Sequence, residues 1–290
     1  MSRMTKLLGT VSVLATLAAG PAAADTLMGF AGMADVSYVN SSFGNDDYDD
    51  DSLNSFGFGA AIAFPIDEIA NFNWELNANY FTSSADEYSR ITWNLGGSLF
   101  WAGPASRSGI NINYNTMTDY GSATNGGVFT EWYFGNITAG AKAGWLWGGG
   151  TAAAGRGNYL GANVGGYIMP NLALTGAVSW ADLVTSATQG SYCYGPTCGR
   201  RDLTHTDFSI EAEFLVSETF PVSIYGGYTY TDASLSDNAN NPYLIDGDGW
   251  SINTFYIGLR YYTGAGSLIE RHRNGNLRSI NRGPNSLGPL

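Results

Sequence analysis

In "LTHTDFSIEAEFLVSE" (203–218), His205 and Asp207 stand two residues apart, a spacing that puts an imidazole and a carboxylate on one face of an extended strand. Such a pair can move a proton, provided other groups hold substrate and water. Cys193 and Cys198 in "CYGPTC" can close a small disulfide loop. A zinc site would need two further good ligands, and only His205 is near in sequence. In "NDDYDDD", Asp47, Asp49 and Asp51 repeat the D-x-D-x-D opening of a calcium loop. Ser52 replaces the turning glycine, however, and Phe58 stands where the bidentate glutamate belongs, so these aspartates are weak metal candidates and no metal is expected. The glycines of "GWLWGGG" lack the strand-to-helix setting of a phosphate loop, and no cofactor is implied.

More informative is the segment that carries His205. Phe208, Ile210, Ala212, Phe214 and Val216 alternate with Asp207, Ser209, Glu211 and Glu213. A period of two describes a strand with one apolar and one polar face. The pattern recurs about twelve times. Around 54–64, Phe56, Phe58, Ala60, Ile62 and Phe64 share a face; around 73–82, Trp74, Leu76, Ala78 and Tyr80 oppose Asn73, Glu75, Asn77 and Asn79. Further strands are expected near 27–40, 90–101, 109–117, 127–134, 137–147, 158–168, 172–182, 222–232 and 250–262, with Gly135–Asn136 as a tight hairpin. Alternate connections are short and the intervening ones longer, from about 8 to about 20 residues.

Composition narrows the solvent that each face meets. Only 13% of the chain is charged, against roughly 25% in an average soluble protein. The chain also holds 39 Gly, 18 Tyr, 14 Phe and 8 Trp, with the tryptophans set towards strand ends. A soluble sheet needs charged outer faces and guarded edges, which this composition does not provide. With a net charge of −12, nucleic acid is not an expected partner. At the start, Arg3 and Lys6 precede the apolar "LLGTVSVLATLAA" and then "AAA" before Asp25, the layout of a secretory signal peptide over 1–24. Export favours the Cys193–Cys198 disulfide. From Gly264 the composition turns basic, with Arg271, Arg273, Arg278 and Arg282 against Glu270, and 264–290 reads as an unfolded, flexible periplasmic tail.

Taken with the alternating strands and two aromatic girdles, the final "FYIGLRYY" (255–262) resembles the last strand of Gram-negative outer-membrane β-barrels of the porin-like type, with Gly258, Tyr261 and Tyr262 at the matching places. The family usually ends there, whereas this chain continues. The resemblance implies an all-β fold: a closed antiparallel up-and-down transmembrane barrel over 25–263, with short periplasmic turns and longer extracellular loops. Apolar side chains then face lipid, and the polar set faces a lumen: Asp35, Glu75, Arg90, Asn111, Asn113, Glu131, Lys142, Glu211, Glu213 and Arg260.

Carboxylates outnumber cations in that set, so the expected function is a porin or channel in the bacterial outer membrane that passes small hydrophilic solutes or ions with mild cation preference. Closing Gly135–Asn136 places Glu131 diagonal to Lys142, so the interior charges could instead pair and plug the lumen. The alternative function is a closed structural or surface-interaction barrel of the adhesion type. A surface protease resembling the omptins, built on His205 and Asp207, is a remote third: it needs a second carboxylate pair, for which Asp47 and Asp49 are the nearest candidates. Expected partners are outer-membrane lipid, lipopolysaccharide and small solutes or cations; nothing in the sequence fixes an oligomeric state.

Overall fold

The computed structural model describes residues 31–44, 52–66, 70–83, 89–117, 121–149, 155–186, 200–217, 220–237, 249–263 and 266–273. Twelve strands account for most of them: β1 Ala31–Gly44, β2 Ser52–Pro65, β3 Asn71–Ser83, β4 Ser89–Ala102, β5 Ser106–Met117 and β6 Gly121–Phe134. The second half comprises β7 Ile137–Gly149, β8 Gly155–Met169, β9 Leu172–Ser186, β10 Arg200–Leu215, β11 Val222–Asp237 and β12 Gly249–Tyr262. Each strand pairs antiparallel with its neighbours in sequence, and β1 pairs with β12 to close the barrel. Closure leaves no unpaired edge, which lipid would not tolerate.

The expected alternation is realised. Phe56, Phe58, Ile110, Ile112, Phe208, Ile210, Phe255 and Ile257 are exposed on the outer wall, whereas Ser55, Asn111, Asn113, Asp207 and Arg260 are buried inside. Aromatic side chains are grouped towards both strand ends. Trp74, Trp101, Phe134 and Tyr261 lie near the end that carries the turns at Gly135 and Pro170, and Tyr38, Trp93, Trp145 and Trp147 lie towards the other. Several pair across strands, as Tyr38 with Phe56 and Tyr228 with Phe255 do at 5.5 and 4.8 Å between ring centroids. The outer wall also holds polar groups that satisfy each other: Ser108 and Thr130, direct neighbours on β5 and β6, are hydrogen-bonded at 2.8 Å.

Two expectations about length are corrected. Strands run 12 to 16 residues rather than about ten. They extend mostly at the long-loop end, so the connections there are shorter than expected; β5 ends at Met117 and β6 begins at Gly121. The two longest connections at that end join β9 to β10 and β11 to β12. The metal candidates Asp47, Asp49 and Asp51, the cysteines Cys193 and Cys198, and the leader over 1–24 lie outside the described residues.

The described part of the tail, 266–273, differs from the unfolded extension expected from Gly264 onwards. Leu268–Arg273 forms a short helix, α1, folded back onto the short-turn end of the barrel. Its start is a capping box: the Ser267 N–H and hydroxyl donate to Glu270 Oε2 at 2.7 and 2.9 Å, and the Glu270 N–H faces Ser267 Oγ at 3.5 Å.

Candidate functional site: the barrel interior

A recurring device shapes the interior: a large side chain on one strand lies over glycine on the next. Tyr256 on β12 is level with Gly227 on β11 and then Glu211 on β10, and its hydroxyl crosses the glycine to donate to Glu211 at 3.0 Å. Tyr225 on β11 passes over Gly258 on β12 and donates to Asp35 on β1 at 3.4 Å. Tyr159 on β8 lies level with Gly144 on β7, Gly127 on β6 and Asn111 on β5, and its hydroxyl is hydrogen-bonded to Asn111 across both glycines. A Cβ at Gly127 or Gly144 would run into that hydroxyl and the neighbouring backbone. The high glycine content thus makes room inside the barrel for tyrosines.

Two ionic centres sit in the short-turn half. In the first, Arg107 and Glu131 are register partners on β5 and β6, with Arg107 Nε donating to Glu131 Oε2 at 2.6 Å; each side chain is 2% exposed. Lys142 takes the place expected for it, diagonal to Glu131: it is level with Phe129, two residues along β6, and lies over Gly161. Arg107 was not foreseen, because a strand drawn from Gly109 leaves it in the turn; β5 in fact begins at Ser106.

The second centre surrounds Arg260. Its guanidinium bonds Glu213 through Nη1, reaches Glu211 Oε1 from Nη2 at 3.2 Å, and has Nε 3.8 Å from Asp35 Oδ2. Ser223, level with Arg260 on β11, is small enough to let it reach over to β10, and donates to Glu213 Oε1 at 2.5 Å. The Tyr262 hydroxyl donates to the same oxygen at 2.5 Å. The Tyr225 ring lies 4.1 Å from the guanidinium carbon. Glu211, Glu213, Asp35 and Arg260, each expected in the lumen, are therefore one network from three strands, with Ser223 and Tyr225 of β11 joining it.

Between these centres the wall is amide-rich. Asn113 donates to Asn125 at 2.9 Å, Asn94 donates to Asn115, and Glu75 lies level with Gly96 and then Asn113. Arg90 falls on β4 opposite Phe81; its side chain lies outside the described set.

Towards the long-loop end, Leu146, Tyr159, Ala181, Leu183, Leu203 and Ala233 form an apolar layer over one sector of the interior. His205 and Asp207 lie just below it, with Nε2 3.4 Å from Oδ1. The carboxylate already accepts from Thr231 Oγ1 at 2.7 Å and Ser179 Oγ at 2.9 Å, and both residues are buried. The second carboxylate pair required by an omptin-like protease is not assembled among the described residues, and Asp47 and Asp49 lie outside them. Among the described residues no cluster of three or more metal-ligating side chains occurs.

No protein-family profile and no curated protein sequence matches the chain. Among solved structures, its fold is similar to that of an outer-membrane channel from Pseudomonas putida F1, with a TM-score of 0.51 at 13% identity, covering 84% of this chain and 98% of that one. The translocator domain of autotransporter NalP from Neisseria meningitidis matches with a TM-score of 0.47 at 10% identity, over 89% and 95% of the two chains. The NanC porin matches with a TM-score of 0.47 at 9% identity, over 78% and 98%. Closed strand order, an outward apolar face and the first of these likenesses give the chain the fold of a closed transmembrane-type β-barrel, which that outer-membrane channel shares. An apolar exterior on a closed barrel suits a lipid bilayer.

Proposed function

We propose that the protein is an outer-membrane channel for small hydrophilic solutes or ions, with mild preference for cations. One observation carries this reading: below the apolar layer of the long-loop end, the inner wall carries polar and charged residues on most of its strands. Asp35 and Ser55 on β1 and β2, Glu75 on β3, Asn111 and Asn113 on β5, Asn125 on β6, Lys142 on β7 and the Glu211–Glu213 pair on β10 all face inward. A barrel meant only as a lipid-embedded wall gains nothing from so many buried amides and carboxylates, each of which must be hydrogen-bonded at a cost. Residues proposed to line the path are Asp35, Glu75, Arg90, Asn111, Asn113, Glu131, Lys142, Glu211, Glu213 and Arg260, with Arg107 and Asp207 added from the structure. Interior carboxylates exceed cations in this set, which favours counter-cations. By the usual orientation of such barrels, the short turns and α1 face the periplasm.

A second reading, a closed barrel with a surface-interaction role, draws support from the ion pairs and α1, which fill the short-turn half. Planar-bilayer recording separates the two. A channel gives discrete openings, with a reversal potential in a salt gradient displaced towards that of the cation. Silence at every voltage, with residues 264–290 removed as well, would favour the closed barrel.

A further inference from the structure

We infer that α1 is a displaceable plug: seated, it holds the short-turn mouth of the channel shut, and conduction requires it to leave. The inference rests on the channel reading above, and it concerns a segment that reading does not use.

The seat is built from many strands. Leu268 is 0% exposed and packs in one cluster with Met33 of β1, Ala61 of β2, Tyr167 of β8, Ala173 of β9, Leu215 of β10 and Tyr262 of β12, with Ile269 against it. The buried cluster that Leu268 joins thus draws on six strands at the short-turn end. The backbone agrees: Leu268 N–H donates to Pro170 O in the β8–β9 turn at 2.8 Å. At the far end of α1, Arg273 donates to Gly135 O at 2.7 Å, to Ile137 O at 3.0 Å and to Thr138 Oγ1 at 3.3 Å, all at the start of β7 or the turn before it. Its guanidinium also lies over the Tyr133 ring at 4.6 Å. The chain leaves β12, and the Arg273 side chain is clamped at β7, five places away in a ring of twelve strands, so the segment and its last side chain together reach across the opening.

The underside of α1 meets the ionic centre. His272 sits between two tyrosine hydroxyls, with Tyr167 OH 3.1 Å from Nδ1 and Tyr262 OH 3.0 Å from Nε2, and Nε2 lies 3.4 Å from Glu213 Oε2. Arg271 stacks over Tyr262 at 5.5 Å and donates to Gly266 O. A basic face thus covers a mouth that carries Glu211, Glu213 and Asp35 around Arg260. Yet the helix is a single short segment tied to the barrel by a few buried anchors, while the strands below are paired along their whole length. Such a segment can open without unfolding the barrel.

Single-channel recording of the full chain carrying Leu268→Asp, and separately Arg273→Ala, tests this. Open probability is expected to rise at least tenfold in each, with unit conductance and heat-modifiable gel migration retained. Termination after Thr263 should give the same effect, and termination after Arg273 should not. A synthetic peptide of residues 264–290, added to the short-turn side only, should close the pores of the shorter chain. Should Leu268→Asp fail to fold, Arg273→Ala and the two truncations decide. Equal open probability in full-length and Thr263-terminated channels would overturn the plug and leave the channel reading intact. Silence of every variant would overturn both.

Discussion

The Arg107–Glu131 pair shows what an interior position demands of a single residue. With both side chains buried, Glu131→Gln leaves a guanidinium without its countercharge, and folding stability should fall by about 3–5 kcal/mol. Replacing both residues together, Arg107→Met with Glu131→Leu, should cost much less, because no lone charge remains. Urea unfolding of the detergent-folded barrel, followed by gel migration, measures both; equal losses would show that the pair is not coupled. Gly144→Ala should be damaging for another reason, since its methyl would meet Gly127 backbone and the Tyr159 hydroxyl. That the interior would be polar and charged was legible from alternation alone. Which charges pair was not, because partners such as Arg260 and Glu213 meet only when the register across β10, β11 and β12 is fixed.

Strand number and facing were readable in the sequence because the two faces meet solvents of opposite character, and a one-residue slip would invert every side chain. Strand ends were less readable. Beyond the lipid the alternation loses its apolar half, so segments such as "TDASLSD" at the end of β11 read as loop although they stay paired. α1 was missed for a different reason. Arginine, asparagine, glycine and proline after Gly264 suggest disorder, yet Ser267-Leu268-Ile269-Glu270 carries the S-x-x-E signature of a helix start. Ser267→Ala should therefore loosen the seat by about 1 kcal/mol. Limited trypsin digestion reads this: the bonds after Arg271 and Arg273 should resist cleavage in the parent chain and become susceptible in the variant. In the connection between β9 and β10, Cys193 and Cys198 are expected to be disulfide-bonded. Maleimide labelling should detect no thiol before reduction and two after it, and labelling without reduction would refute the bond.

At the scale of the whole molecule, the outer wall and the lumen should respond oppositely to charge. Ile210→Arg places a guanidinium on the lipid face and should cost about 2–4 kcal/mol if that site lies near the midplane, whereas Ser209→Arg, one residue away and facing inward, should be tolerated far better. Channel behaviour, cation preference and the plug all presuppose this division of faces. It is tested most directly by a spin-label scan of β10 in reconstituted bilayers, one label per position from Asp207 to Leu215, with the native cysteines replaced. Labels at Phe208, Ile210, Ala212 and Phe214 should be relaxed strongly by oxygen dissolved in the lipid, and labels at Asp207, Ser209, Glu211 and Glu213 only weakly. Uniform accessibility to a water-soluble relaxant along both faces would mean that this wall does not meet hydrocarbon.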